Sequence, residues 1–455
     1  MKTIIIAVLA AIASFFVASF LGASYPVGIT LAITLLTAVI WITEAIPIPV
    51  ASLIPFVGFP VAGVLSHKQA ASALGSHVII LLMGAFMLAK AIEKSGVHER
   101  FALMMIKFTG GNSGFKILLA FMATAAVLSM WISNTATTLA LLPVAVAVLS
   151  HTDNARFKLV LLLGLAYAAS LGGVGTLIGT PPNVIFASVY EEFAKQEYGF
   201  LRFMQTSVPI VIVAVPLMAL WLSRGIKLEK DITFPDVGIW RSQEVRTLCV
   251  FVLVALLWVF RSEPFGGWSG LFGLTQIGDS TIALFGVILM FLVPTSKGSE
   301  EKLLDWKTAS DIPWGMLLLF AGGICIAKAF VASGLSQVLG EALSGITSLP
   351  IFVVMLLIAL SVSFLTEITS NTATATLFMP ILASAAMSNN IAIELIMIPA
   401  VISCSCAFCL PVATAPNSIV FASGQVTIKQ MAHEGVVLNV IVAFVVATMC
   451  YLTLI

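Results

Sequence analysis

Charge is what this chain has least of. Only 9% of its 455 residues are Asp, Glu, Lys or Arg, while 60% are hydrophobic. A soluble domain carries about 25% charged residues, so a water-soluble fold is excluded. The 22 basic and 21 acidic side chains leave a formal net charge of +1, and with no basic tract there is nothing to engage nucleic acid. Histidine is scarcer still. His67, His77, His98, His151 and His433 mostly sit at segment ends and form no HExxH or similar metal pattern. Of six cysteines, Cys404, Cys406 and Cys409 are clustered, but no histidine lies beside them. Their neighbours are apolar and small, as in packed membrane helices, which favours packing over a metal. No nucleophile–base pair stands in the hydrophobic segments, so nothing points to an enzyme.

Long apolar runs are what the chain has in abundance. Segments of spanning length read at 3–22, 27–43, 48–65, 77–94, 157–190, 207–223, 245–261, 280–294, 313–332, 391–423 and 434–455, which gives about 11 transmembrane helices in an all-α integral membrane protein. The first (residues 1–26 with its flanks) is expected as a retained helix. It is longer than the roughly 7–15 residues of a signal peptide's apolar core, and Gly22-Ala23-Ser24-Tyr25 is a poor cleavage site. Two further runs, 114–149 and 350–388, are too long for one crossing of about 20 residues. Each carries Ser-Asn-Thr near its middle, which predicts a re-entrant hairpin turning at that motif.

These motifs repeat. Ser133-Asn134-Thr135-Ala136-Thr137 recurs as Ser370-Asn371-Thr372-Ala373-Thr374, and Gly179-Thr180-Pro181-Pro182-Asn183 as Ala413-Thr414-Ala415-Pro416-Asn417. Ala89-Lys90-Ala91 with Ser95-Gly96 recurs as Ala327-Lys328-Ala329 with Ser333-Gly334. The registers predict two repeats, 27–223 (hairpin 114–149, broken helix 157–190) and 245–455 (hairpin 350–388, broken helix 391–423), joined by a linker at 224–244. Five spans per unit invert one copy relative to the other. Segments 97–107 and 335–345 are expected as connecting helices along the membrane surface.

Basic residues give the orientation. With the N-terminus inside, Lys2 and the loops at 94–116, 151–158, 224–246, 296–312 and 424–433 place sixteen Lys and Arg inside. Four, Lys68, Lys195, Arg202 and Arg261, fall outside. That bias fits a multi-pass protein of the cell (inner) membrane with a cytoplasmic N-terminus and an outside C-terminus. The two hairpins then enter from opposite sides.

Ser, Asn and Thr cap helix N-termini, and proline suits a helix's first turn. Four helix N-termini therefore converge near the membrane midplane, each with free N–H groups and about half a positive charge. Such a place suits an anion. No Lys or Arg lies in the motifs, so a multiply charged anion needs a compensating cation, and sodium fits the hydroxyl and carbonyl oxygens available. Ser129 precedes Ser133 by four residues and Thr366 precedes Ser370 likewise, on a shared helix face. Carbonyls at Gly179 and Ala413 complete two oxygen cages related by the repeat.

Paired Ser-Asn-Thr hairpins, each followed by a Thr-Pro-Pro-Asn-like break, resemble the divalent anion/sodium symporter family. The resemblance extends over essentially the whole chain, down to Thr43-Glu44-Ala45-Ile46-Pro47. It implies sodium-coupled carriage of dicarboxylates, citrate or sulfate by a homodimer, with a transport domain moving like an elevator against a scaffold. Carried over, the sodium sites are Ser129, Ser133, Asn134 and Gly179, and Thr366, Ser370, Asn371 and Ala413. The substrate's carboxylates meet Asn134, Thr135, Thr180, Pro181, Asn371, Thr372, Thr414 and Ala415. Ala415 departs from a pattern in which many relatives have a second proline.

The expected activity is sodium-coupled uptake of a C4-dicarboxylate such as succinate, malate or fumarate. A proton-coupled or exchanging carrier of sulfate, citrate or another anion, and an anion channel, are the alternatives. Lys90 and Lys328 read as snorkelling or pairing residues near helix ends. Glu367, opposite Met130 in the first repeat, is either a structural partner or a proton-sensitive group. Glu44 reads as a cap at a helix start.

Overall fold

In a computed structural model of this protein, residues 2–109, 113–150, 152, 154–226, 238–263, 265–342 and 349–455 are described; they form twenty-three α-helices and no strand. Most of the linker expected at 224–244 (227–237) and the end of the segment 335–345 lie outside the described residues. Eight helices are long and apolar enough to cross a membrane by length and composition. The other three segments read as spans, 48–65, 280–294 and 391–423, fold as shorter or interrupted helices.

The chain opens with α1 (Lys2–Phe20) laid against α2 (Tyr25–Thr43). Segment 48–65 is not one helix. It gives α3 (Ile48–Ala51) and α4 (Ile54–Val61), with Pro49 and Pro55 each in a first turn. A proline lacks the N–H that would continue the preceding helix but has the φ that begins the next. Glu44 does not cap a helix start. It is the C-cap of α2, with φ 49° in the left-handed region.

Two series of helices then run in parallel order. The first is α5 (His67–Leu74), α6 (His77–Ser95), α7 (Val97–Thr109), α8 (Gly114–Ser129), α9 (Asn134–Leu149), α10 (Ala155–Gly172), α11 (Pro181–Ala194) and α12 (Phe200–Leu222). After α13 (Ser242–Val259), α14 (Gly267–Leu271) and α15 (Asp279–Leu292) comes the second. It comprises α16 (Trp306–Ser310), α17 (Trp314–Ser333), α18 (Leu335–Ala342), α19 (Ile351–Thr366), α20 (Asn371–Ser388), α21 (Ile393–Ser403), α22 (Ala415–Ala422) and α23 (Ile428–Leu454).

Matched residues do matched work. At the end of α6 the Ser95 hydroxyl accepts the Val97 N–H (3.2 Å) and Gly96 turns the chain at φ 73°. At the end of α17 Ser333 accepts the Leu335 N–H (3.3 Å) and Gly334 turns it at φ 80°. Both φ values suit glycine, which has no Cβ to clash. The pair α8–α9 packs on α10, and α19–α20 on α21. Across the series α9 meets α22 and α20 meets α11. The second arm of each hairpin therefore lies against the broken helix of the other half, and this crossing brings all four motifs to one place.

Candidate substrate and cation site

Each hairpin turns where its sequence supplies a cap. The Ser133 hydroxyl accepts the Ala136 N–H (3.1 Å) at the start of α9, and Ser370 accepts the Ala373 N–H (3.3 Å) at the start of α20. Asn134 and Asn371 are the first helical residues. Behind them Ser129 donates to Asn134 Oδ1 (2.5 Å) and Thr366 to Asn371 Oδ1 (2.8 Å). The i, i+4 expectation thus becomes a hydroxyl that fixes the asparagine amide. With Oδ1 engaged, each Nδ2 is left as the donor end.

The helix breaks share one internal bracing. Asn183 Nδ2 donates to the carbonyls of Gly173 (3.1 Å) and Thr176 (2.7 Å), ten and seven residues back. Asn417 Nδ2 donates to Ala407 and Leu410 (3.0 Å each), also ten and seven back. Unwound backbone must find partners in a water-poor interior, and one buried amide per half supplies them. In the sequence the only sign of this bracing is the fixed place of Asn183 and Asn417 at the end of each motif. Asn183→Ala and Asn417→Ala are each expected to lower thermal stability in detergent, at about 1–3 kcal/mol per carbonyl left unpaired. An unfolding temperature equal to the parent's in both variants would remove this bracing role.

All eight residues assigned to substrate, Asn134, Thr135, Thr180, Pro181, Asn371, Thr372, Thr414 and Ala415, line one cavity of about 590 Å³. Ser133, Gly179, Ser370 and Ala413 line it too, whereas Ser129 and Thr366 are fully buried directly behind the tips. Thr414 caps α22 by accepting the Asn417 N–H (3.2 Å), while the Thr180 hydroxyl faces Ser405 Oγ at 3.4 Å.

Glycine makes the first tip's oxygen cluster possible. A Cβ on Gly179 would stand 2.5 Å from the Gly173 carbonyl oxygen, 2.9 Å from that of Ser129 and 3.0 Å from that of Met130. A Cβ on Gly173 would stand 2.5 Å from Asn134 Oδ1. The carbonyl oxygens of Gly173 and Met130 thus lie beside Gly179, next to the expected set Ser129, Ser133, Asn134 and Gly179. Uncharged oxygens gathered this closely are the donors a hard cation takes. At the second tip Thr366 also donates to the Cys404 carbonyl (3.0 Å), and Ser363 to that of Cys406 (2.6 Å). Cys404, Cys406 and Cys409 are buried at the end of α21 and in the unwound segment behind it.

Residues 38–398 match the citrate transporter family model. The sodium-dependent dicarboxylate transporter SdcS of Staphylococcus saprophyticus is 39% identical over 445 residues, covering 92% of this chain and 85% of that protein. The protein of the same name from Staphylococcus aureus (strain NCTC 8325) is 37% identical over 446 residues, with the same coverage. The chain belongs to the divalent anion/sodium symporter family. It is a multi-pass membrane transporter, not an enzyme. The crystal structure of the YdaH transporter of Alcanivorax borkumensis, described as having an unusual topology, is similar in fold. Its TM-score is 0.58 at 13% identity, over 84% of this chain and 86% of that one.

Among the described residues that line the transporter's cavity, Lys90 is the one basic residue, beside Glu93 and Asp311. Lys90 is not free: its ammonium lies 3.1 Å from Asp311 and 3.5 Å from Glu93. Its repeat counterpart Lys328 pairs with Glu192 on α11 at 3.4 Å. Glu367 is buried and holds the second break, accepting N–H bonds from Phe408 (2.7 Å), Cys409 (2.9 Å) and Leu410 (3.1 Å). Of the two readings the sequence left open for it, the structural partner is the one seen.

Proposed function

We propose that this protein couples inward sodium movement to uptake of a C4-dicarboxylate, with succinate, malate and fumarate as substrates. One observation carries the reading. Both hairpin tips and both helix breaks present amide and hydroxyl groups to a single cavity, and the basic side chain among its described lining residues, Lys90, is paired with Asp311. Two carboxylates separated by a short carbon chain match two symmetric sets of neutral donors, Asn134 and Thr135 with Thr180, and Asn371 and Thr372 with Thr414. Neutral donors alone do not balance a dianion in a water-poor site, which leaves the charge to co-transported cations. The names of the Staphylococcus relatives, sodium-dependent dicarboxylate transporters, support the same assignment.

The experiment is uptake of radiolabelled succinate into proteoliposomes under an inward sodium gradient, with a potassium control. The expected result is sodium-stimulated uptake, competed by malate and fumarate but not by sulfate. Uptake driven only by internal dicarboxylate, or competed by citrate or sulfate instead, would replace this reading with an exchanger or another anion carrier.

The two repeats enter the membrane in opposite senses and work by elevator-type alternating access in a homodimer. Support comes from the unequal ends of the site. The cavity opens beside Lys90, Glu93 and Asp311, the end that the basic loops assign to the cytoplasm. Toward the other end three acidic residues around the end of α11 each reach a basic side chain on a different helix or its end: Glu191 with His77 (3.6 Å), Glu192 with Lys328 (3.4 Å) and Glu197 with Arg261 (3.1 Å). These pairs latch the outward side shut. Glu192→Gln and Lys328→Gln are expected to raise labelling of a single cysteine placed on the outward side of the cavity, by about two- to fivefold for a partly exposed pair. Unchanged labelling in both would argue against the latch.

A further inference from the structure

Behind the first hairpin tip lies a second hollow, and its walls are apolar. It is a crevice of about 250 Å³ among α6, α7, α8 and α13, walled in part by Phe101, Leu128, Trp131, Leu248, Val252 and Leu256. Among the described residues that line it, none is Asp, Glu, Lys or Arg. Its one histidine, His98, is buried, with Nδ1 facing the Ile92 carbonyl (3.3 Å). A void of this kind stays dry, and its walls forgo the dispersion contacts that a filled one would have. Val252 and Leu256 are also 44% and 49% exposed, on a helix most of which the protein does not bury. The crevice therefore opens toward the acyl chains of the bilayer.

Length and charge indicate what enters. From Leu248 to Leu256 the crevice follows α13 for about 12 Å, close to the roughly 15 Å hydrocarbon depth of one leaflet. One turn before Leu248, the buried carboxylate of Glu244 holds two arginines, Arg100 and Arg241, at 2.7 Å each. Arg246 donates to the Pro294 carbonyl (2.7 Å). Over the first turn of α7 and the start of α13, three arginines thus stand against Glu244 and the exposed Glu99, which leaves one positive charge over. Arg241 keeps 65% of its side chain exposed, free to meet a further anion. Basic residues beside a helix end at the membrane surface attract anionic headgroups.

We infer that this crevice binds one acyl chain of an anionic phospholipid, whose charged headgroup sits beside Arg241. Trp131 and Ile132 line both the crevice and the substrate cavity, and Ser133, the cap of the tip, follows directly. The Trp131 ring meets Phe251 edge-on at 5.3 Å and stacks on Phe200 at 6.2 Å. An acyl chain closes the open side of this cluster and so backs the first tip.

The test is native mass spectrometry of the purified full-length protein in detergent, titrated with dioleoyl phosphatidylglycerol or dioleoyl phosphatidylcholine. The first is expected to bind about fivefold more tightly, the gain from one arginine near an anionic headgroup. Arg241→Gln is expected to remove that preference and leave phosphatidylcholine binding as it is. Val252→Trp fills the crevice and is expected to weaken both lipids at least about tenfold, the equivalent of about two buried methylenes. Saturating phosphatidylglycerol is expected to raise the unfolding temperature of the parent but not of Val252→Trp. Should Val252→Trp not fold, Leu256→Trp fills the same crevice and decides by the same criterion. Lipid binding left unchanged in a folded crevice-filling variant overturns the inference. A parent that binds the two lipids equally, or binds neither, also overturns it. So does displacement of phosphatidylglycerol by glycerol 1-phosphate, which would assign the arginines to a soluble phosphate. Neither sodium nor substrate enters this test, so a failure of the sodium-coupled reading would leave it standing.

Discussion

Asn134→Ala and Asn371→Ala are each expected to give folded, monodisperse protein whose sodium-driven succinate uptake falls by about 100-fold or more, the scale for removing one donor from a charged, water-poor site. The fold survives because the asparagines do not make the turn. Ser133 and Ser370 do, through their bonds to Ala136 and Ala373, and alanine is well tolerated in a first helical turn. What disappears is an oxygen and an amide N–H at each tip. The Ser129 and Thr366 hydroxyls lose the acceptor they hold at 2.5 Å and 2.8 Å. The cavity loses a donor at one end of the dianion. The measurement is the initial rate of uptake with sodium against potassium, alongside size-exclusion chromatography of each variant. Parental sodium stimulation in both variants would dismiss the assignment of these tips to ion and substrate.

Gly435→Ala is the substitution expected to cost the most stability. A Cβ there would lie 2.2 Å from the Phe408 carbonyl oxygen, 2.4 Å from its carbon and 2.7 Å from the Cys409 Cα. These are backbone atoms, and they are already fixed: Glu367 holds the N–H groups of Phe408, Cys409 and Leu410, and Asn417 holds the carbonyls on either side. Helix α23 must therefore withdraw, taking Asn439, one turn further along, away from Glu367. Overpacking of a rigid contact costs about 1–3 kcal/mol or more. The loss of the Asn439 bond to a buried carboxylate adds to that. A fall of about 2–6 °C in unfolding temperature is expected. Gly270→Ala, where a Cβ meets nothing within 4 Å, is the control and should not fall. Equal unfolding temperatures for parent and Gly435→Ala protein would mean that α23 does not clamp the break.

Much of the site was legible because it is written twice. A lone Ser-Asn-Thr in an apolar run is an ordinary cap, but two in register with two proline breaks require one explanation for both. All eight residues named for the substrate do face one cavity, and Ser129 and Thr366 do stand behind the asparagines. The parts that were not legible depend on partners distant in sequence. Glu367 finds its donors 41 to 72 residues away, and Lys328 meets Glu192 across the two repeats. No spacing rule encodes such a meeting. Segment 48–65 was misread for another reason. Its composition is that of a span, but Pro49 and Pro55 each restart the helix, and hydropathy carries no term for a missing N–H.

The sequence by itself determined that this chain lives in a membrane, that its helices come in two matched series, and which short motifs break them. Those properties are local: transfer of side chains out of water, capping of free N–H groups and the stiffness of proline act over a few residues each. Only the tertiary structure decided that α9 lies against α22 and α20 against α11, which turns four separate helix ends into one cavity. It alone also decided that the second break, but not the first, is held by a buried carboxylate. Both outcomes follow from packing between distant segments, where a close glycine approach or a shortened helix exposes backbone groups that some remote side chain must satisfy.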